Sequence, residues 1–254
     1  MSRRVRIGQL SVDSVSFADA LERIAALVER GTGGAIFTPN VDHVVKAETD
    51  PAFRRAYERA DLCLADGTWI VWASRLLGSP LPAKVSGSDL IVPLARYAGQ
   101  HGWRLSIVGG APGVAEAAGA RMAREFDVAF VGCDAPAVDM DGSMTAPEET
   151  LGRLRAARPD IVLVALGAPK QELWIDRYAE RLSPAVAIGI GGSIDFFVGR
   201  VRRAPPWVSR MGLEWLYRLA REPRRMWRRY LVEDPRFLPI VARDLRAARH
   251  QARP

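Results

Sequence analysis

The strongest constraint in this chain is a run of six apolar residues, Ile-Val-Leu-Val-Ala-Leu at 161–166, with no polar residue at alternate positions. A strand with one wet face alternates apolar and polar residues. A strand apolar at every position is buried on both faces, as in a parallel sheet covered by helices on each side. Shorter segments of the same kind stand at 34–38 (GAIFT), 61–65 (DLCLA), 104–108 (RLSIV), 128–131 and 185–190. Between them lie stretches with helical spacing: 17–30 ending at Gly31, 41–59 interrupted at Pro51, then 68–77, 88–100, 114–126, 148–157 and 169–182. The alternation predicts an α/β fold, a Rossmann-like, mostly parallel sheet with helices on both faces. In such sheets ligands bind beyond the carboxyl ends of the strands. The polar and glycine-rich clusters stand at those ends: Thr38-Pro39-Asn40, Asp66-Gly67, Gly109-Gly110, Gly167 to Gln171, and Gly191-Gly192.

The last part of the chain has a different character. From Gly199 to Pro254 there are 15 arginines and five acidic residues, a net of +10, whereas residues 1–198 sum to −3. Pro205 and Pro206 predict a helix over 208–220, Pro223 a second through Leu231, and a last segment follows Pro235. Trp207, Trp215 and Trp227 are interleaved with the arginines. Arg218, Arg221, Arg225 and Arg228 recur at spacings of three, four and three, which puts them on one face if the helix runs on with only a kink at Pro223. The chain is therefore expected to divide into a catalytic core, 1–198, and a helical basic C-terminal appendage, 199–254. Such an appendage seeks a polyanion: an anionic membrane surface, a diphosphate or a nucleic acid. The N-terminus carries no apolar segment of signal-peptide length, and no run approaches the roughly 18 apolar residues of a membrane span. The expectation is a cytoplasmic protein, peripheral on the inner face of the membrane. Cys63 and Cys133 lack CxxC spacing and read as buried thiols rather than as a disulfide or a zinc site.

Several strand ends carry chemistry, each with a plainer alternative. Asp66 closes a strand in the position of a general base, although Asp-Gly is also an ordinary turn. Gly109-Gly110-Ala111-Pro112-Gly113 lets backbone N–H groups approach a diphosphate where a helix begins. It is not a proper GxGxxG, and no ribose-binding acid follows it. After Gly191 and Gly192, Asp195 can contact a nucleotide base or ribose, or cap a helix. Lys170 and Gln171, after Gly167, can reach an anionic substrate or be ordinary first-turn residues. Asp139-Met140-Asp141 has the DxD pattern that elsewhere holds a divalent metal and a nucleotide diphosphate. It sits in a loop with Gly142 and Ser143 and reads as a turn. His43 and His101 have no second ligand at metal spacing. Neither a metal nor a cofactor is expected.

Six motifs follow one another along the chain. They are Phe37-Thr38-Pro39-Asn40-Val41-Asp42-His43; Ala65-Asp66-Gly67-Thr68 with Val71-Trp72-Ala73; Gly87-Ser88-Asp89-Leu90; Gly167-Ala168-Pro169-Lys170-Gln171-Glu172; Gly212-Leu213-Glu214-Trp215 with Arg218-Leu219; and Glu222-Pro223-Arg224-Arg225 with Arg228-Arg229-Tyr230. Each is loose alone, but six in this order are specific. Over nearly its whole length the chain resembles the WecG/TagA/CpsF family, glycosyltransferase family 26.

The resemblance implies an inverting, metal-independent glycosyltransferase of cell-surface polysaccharide biosynthesis. It would move a sugar from a UDP-sugar to a saccharide on a polyprenyl diphosphate. N-acetylmannosamine, its uronic acid, glucose and glucuronate all fit as the sugar. The resemblance makes Asp66 the base, Thr38, Asn40 and Gln171 substrate-positioning residues, and Asp195 a contact to uracil. Arg218, Arg225 and Arg228 of the appendage would complete the site while the appendage holds the protein on the membrane. Where the family usually has arginine this chain has Lys84, which keeps the charge and loses the bidentate geometry. The implied partners are the UDP-sugar donor, the polyprenyl-diphosphate-linked acceptor and an anionic membrane surface. A homo-oligomer stays open, and no nucleic acid is expected. A nucleotide-cofactor oxidoreductase would need the GxGxxG and the ribose-binding acid. A nucleic-acid-binding protein would use the basic tail and leave the strand-end motifs idle.

Overall fold

The computed structural model describes residues 3–251. The sequence pattern assigns no element before Phe17, yet the chain opens on an antiparallel hairpin of β1 (Arg4–Ile7) and β2 (Leu10–Asp13). Its inward residues Val5, Ile7, Leu10 and Val12 are buried, and arginines occupy the outward positions of β1. Next, α1 (Phe17–Arg30) starts on a reciprocal cap: Asp19 N–H donates to Ser16 Oγ, and Ser16 N–H donates to the Asp19 carboxylate. It stops at Gly31 in the left-handed conformation.

The sheet then builds as the apolar runs predict. Its strands are β3 (Gly34–Phe37), β4 (Leu62–Cys63), β5 (Arg104–Gly109), β6 (Ala129–Asp134), β7 (Ile161–Ala165) and β8 (Val186–Gly189). They lie side by side in the order β4-β3-β8-β7-β5-β6, and every pairing is parallel. Both faces are dry. On β7, Val162 and Val164 belong to one apolar cluster while Ile161 and Leu163 belong to the other. That two-sided burial is why 161–166 shows no alternation. The connecting helices are α2 (Val41–Thr49), α3 (Pro51–Arg59), α4 (Thr68–Leu76), α5 (Gly87–His101), α6 (Val114–Phe126), α7 (Pro147–Ala157) and α8 (Lys170–Leu182), followed by the short α9 (Ser193–Phe197).

The tail departs from its expected course. The helix predicted over 208–220 is two, α10 (Pro206–Arg210) and α11 (Glu214–Arg221), parted at Gly212, whose φ of 72° lies in the left-handed region. A second break at Glu222 (φ −129°, ψ 58°) starts α12 (Pro223–Arg228), which runs into a π-helical turn (Arg229–Glu233) and a 3₁₀ turn (Asp234–Arg236). The chain ends on α13 (Phe237–Gln251). Because the break at Glu222 falls between Arg221 and Arg225, the arginines do not share one continuous helix face. The tail is also packed into the body: Phe237, Ile240 and Val241 of α13 join the same buried cluster as Val5, Ile7, Leu10 and Val44. Gly8 N–H donates to the Asp244 carboxylate at 2.6 Å. No described helix is long and apolar enough to cross a membrane.

Candidate active site

The carboxyl ends of β3, β4, β7 and β8 open into one cleft of about 620 Å³, roofed by α11, α12 and the π turn. Thr38 and Asn40 reach it from β3, Asp66 from β4, Gly167 and Gln171 from β7, and Gly191 and Gly192 from β8. This is where the order of strands in the sheet departs from their order in the chain, the usual place for a ligand in a parallel sheet.

Asp66 is half-buried at the end of β4, with its N–H donating to Pro39 O. Burial pushes its carboxyl up to about 6, and Glu214 across the cleft adds to this; Lys84, Asn40 and Arg218 act in the opposite sense. Among the described residues its carboxylate accepts one hydrogen bond, from Asn40 Nδ2 at 3.4 Å, and Asp66 lines the cleft. A carboxylate with a pKa near neutrality, ionised and open to an incoming hydroxyl, is what general-base catalysis requires. Asn40 is oriented in turn by Arg229, which donates to its Oδ1 at 3.1 Å.

The β8 side is held by buried polar contacts. Thr38 Oγ1 donates to Gly189 O at 3.1 Å, and Gly191 N–H donates to Gln171 Oε1 at 2.7 Å. A side chain at Gly189 would lie 2.4 Å from Gln171 Nε2, so glycine is required for that approach. Gln171 Nε2 donates to Glu172 Oε1 at 2.8 Å, which fixes which way the amide points. Thr38 and Gln171 are therefore tied to the β8 loop and shape the wall that a substrate would meet.

Beneath this wall lies a buried ionic group. Asp42 pairs with Lys46 one turn along α2, and with Arg229 at 3.8 Å. Burial opposes the charge on Asp42, but Arg229 and Lys46 outweigh it and hold the carboxyl below its ordinary value. Burial pushes His43 down to about 3, so the ring is neutral; its Nδ1 lies 2.6 Å from the Tyr57 hydroxyl. Glu172 is fully buried, its Oε2 has no hydrogen-bond partner, and burial pushes its carboxyl up to about 7. The Nε atoms of Arg218 and Arg229 are likewise buried without an acceptor. Both arginines line the cleft among the carboxylates of Asp42, Asp66, Glu214, Glu233 and Asp234; Arg229 is shared with Asp42 and Asp234, and Arg218 is the cation with a free buried donor to offer a phosphate-bearing ligand.

Residues 5–251 match the model of the Glycosyl transferase WecG/TagA/CpsF family. The chain belongs to this family. It is a glycosyltransferase. It is 35% identical over 249 residues, 95% of the chain and 92% of the relative, to the N-acetylglucosaminyldiphosphoundecaprenol N-acetyl-beta-D-mannosaminyltransferase of Bacillus spizizenii (strain ATCC 23059 / NRRL B-14472 / W23). It is 32% identical over 229 residues, 90% of the chain and 86% of the relative, to the protein of the same name in Bacillus subtilis (strain 168).

The cleft of this glycosyltransferase gathers Asp66, Thr38, Asn40, Gln171, Gly167, Gly191, Gly192 and Arg218. Other expected residues lie elsewhere. Gly109 and Gly110 end β5 and do not line the cleft, because β7 and β8 stand between β5 and β3. Lys170 turns away and donates to Val138 O at 2.6 Å. Lys84 pairs with Asp89 at 3.0 Å and reaches Asp66 only through its charge. Asp195 borders Gly192 and pairs with Arg200 at 3.5 Å. Arg228 is 75% exposed and pairs with Glu233, outside the cleft lining. The Arg225 side chain lies outside the described residues. Asp139 and Asp141 form a tight turn: Ser143 donates to Asp141, and Arg177 pairs with it at 3.4 Å. Among the described residues no cluster of three or more His, Cys, Asp or Glu side chains is placed to hold a metal. Cys63 and Cys133 are unpaired thiols.

Residues that the sequence does not single out are Asp42, Glu172, Glu214 and Arg229, which lie within the motifs, and Lys46, which lies three residues beyond the first of them. The signal that could have found Asp42 and Lys46 is an opposite-charge pair at i, i+4 directly after the Thr38-Pro39-Asn40 strand end.

The buried Glu172 carries a stability prediction. Its folded pKa lies above that of an unfolded glutamate, so the folded state holds its proton more tightly. Stability contributed in this way is present at low pH and is lost as pH rises from about 4.5 through about 7. Glu172→Gln is expected to be more stable than the parent at pH 8 by up to about 3 kcal/mol, with the gain vanishing near pH 4.5. Urea melts at the two pH values measure it; a difference that does not change with pH would contradict the assignment.

Proposed function

We propose that the enzyme transfers N-acetylmannosamine, or a closely related sugar, from UDP to a saccharide carried on a polyprenyl diphosphate at an anionic membrane surface, with inversion and without a metal. The observation that carries this reading is the pairing of a half-exposed, raised-pKa Asp66 with two guanidinium groups across one cleft. In the reaction Asp66 accepts the proton of the acceptor hydroxyl as its oxygen attacks the anomeric carbon. The bond from that carbon to the diphosphate breaks, and the negative charge left on UDP falls to Arg218 and Arg229. These cations do the work for which other transferases use a divalent ion. In this reading Asp195, which neighbours Gly192 at the edge of the cleft, takes the uracil, exchanging its Arg200 partner for the base. The names of the two Bacillus relatives support the sugar and the acceptor class. The tail's net charge of +10 supports contact with anionic lipid, since each basic residue near such a surface contributes about 1 kcal/mol.

A donor panel tests the reading. UDP-N-acetylmannosamine, its uronic acid, UDP-glucose and UDP-glucuronate are incubated separately with a short-chain N-acetylglucosaminyl diphospholipid, and products are read by mass spectrometry. The N-acetylmannosamine product is expected; product from another donor alone would change the sugar, and none from any donor would remove the reaction. The same assay is expected to proceed in EDTA and to change less than about threefold in the Asp139→Ala, Asp141→Ala double variant, because neither residue lines the cleft and the Asp141 carboxylate is held by Ser143 and Arg177. Loss of activity in EDTA with recovery on manganese would contradict the metal-free step.

A further inference from the structure

The helix α4 leaves one apolar stripe uncovered. Ile70, Val71, Ala73 and Ser74 are buried on its inner side. Trp69, Trp72 and Leu76, at i, i+3 and i+7, stand on the outer side at 38%, 37% and 65% exposure. The two indoles lean edge to face with centroids 5.1 Å apart. Trp69 also lines the catalytic cleft, so the stripe begins inside the site and runs out of it. The tail extends the same surface: Trp69 Nε1 donates to Gly212 O at 3.2 Å, a side chain at Gly212 would meet the Trp72 ring at 3.4 Å, and the preceding Met211 is 56% exposed.

An uncovered stripe continuous with a binding site calls for a ligand that is polar at one end and apolar at the other. Within the cleft Arg218 offers a cation to a diphosphate; outside it the indoles, Leu76 and Met211 offer a path for hydrocarbon. Arg75 stands exposed beside the path, as arginine does where protein meets a lipid headgroup layer, and tryptophan favours the same depth. We propose that the outer face of α4, extended by Met211, is the surface along which the hydrocarbon chain of the lipid-linked acceptor leaves the cleft for the bilayer. This rests on the acceptor class proposed above. It assigns a lipid contact to the core of the enzyme as well as to its basic tail.

The test uses the full chain and two acceptors that differ only in the lipid: a short, water-soluble chain, and a polyprenyl chain in vesicles containing anionic phospholipid. The variant is Trp72→Gln with Leu76→Glu, neither residue being part of the cleft. With the soluble acceptor its kcat/KM is expected within about twofold of the parent. With the polyprenyl acceptor kcat/KM is expected to fall at least about tenfold, because two apolar contacts to the chain are lost. The parent's turnover of the soluble acceptor reports separately on whether the transfer reaction itself is assigned correctly. Equal losses on both acceptors would overturn the proposal, since the stripe would then serve the fold or the site. No loss on either would overturn it as well. So would conversion of a dimeric parent to a monomer with unchanged use of both acceptors, which would make the occupant a second copy of this chain.

Discussion

Asp66→Asn is expected to lower kcat by about 10²–10⁴-fold while leaving the fold and donor binding in place. The amide keeps the shape of the carboxylate and can still meet Asn40, but it cannot take a proton from an acceptor hydroxyl. The parent enzyme is expected to show an acidic limb in kcat/KM with a pKa of about 6, where Asp66 loses its charge. The sign follows from the role: a base works only when ionised, so activity rises as pH increases through that value. In the Asn variant the residual rate is expected to lose this limb. Folding is not expected to suffer, because a carboxyl whose pKa is raised by burial destabilises the folded state above its unfolded pKa, and the amide removes that charge. Near-normal turnover in Asp66→Asn, with a native circular dichroism spectrum, would remove Asp66 from the role.

Arg218→Ala carries the second large effect. The guanidinium of Arg218 lies over the Phe196 ring at 5.2 Å, lines the cleft, and its buried Nε has no acceptor. A buried donor without a partner is costly unless a ligand supplies one. If that ligand is the departing diphosphate, Arg218→Ala is expected to reduce kcat/KM by about 10²-fold even with a soluble acceptor. Arg229→Ala is expected to act as strongly by a second route, since Arg229 also orients Asn40 and compensates Asp42. Arg228→Ala, one residue away, is expected to change kcat/KM less than about threefold, because the Arg228 side chain is 75% exposed and is not part of the cleft lining. Equal effects of Arg228→Ala and Arg229→Ala on the soluble acceptor would show that the tail acts by charge alone and not by placing particular groups.

That contrast between neighbours marks where sequence reading stops. The parallel sheet was legible because double-sided burial leaves a direct trace, the unbroken apolar run at 161–166. The strand-end rule then pointed to Thr38, Asn40, Asp66 and Gln171, which the structure gathers. The N-terminal hairpin left a weak trace: four-residue strands alternate only twice, and Arg4 and Arg6 on the outer face read as a charged terminus. The break at Gly212 depends on tertiary contacts with Trp69 and Trp72, and a glycine in a helical pattern does not announce them. A π turn begins at Arg229, and no local spacing rule foretells which of two adjacent arginines faces inward. Asp42 and Glu172 were visible as letters of motifs, but a buried carboxylate and a solvated one look alike in a sequence. The glycines after β5 were good candidates by local chemistry and lie off the cleft because of strand order, which is a property of the whole sheet.

If transfer takes place in the cleft between the ends of β3, β4, β7 and β8 and the arginines of the tail, a crystal structure of the full chain with UDP is expected to show the diphosphate within hydrogen-bonding reach of Arg218, the uracil beside Asp195 and the Asp66 carboxylate facing the position of the missing sugar. UDP seated instead on the Gly109-Gly110 turn at the end of β5, with the cleft unoccupied, would contradict it.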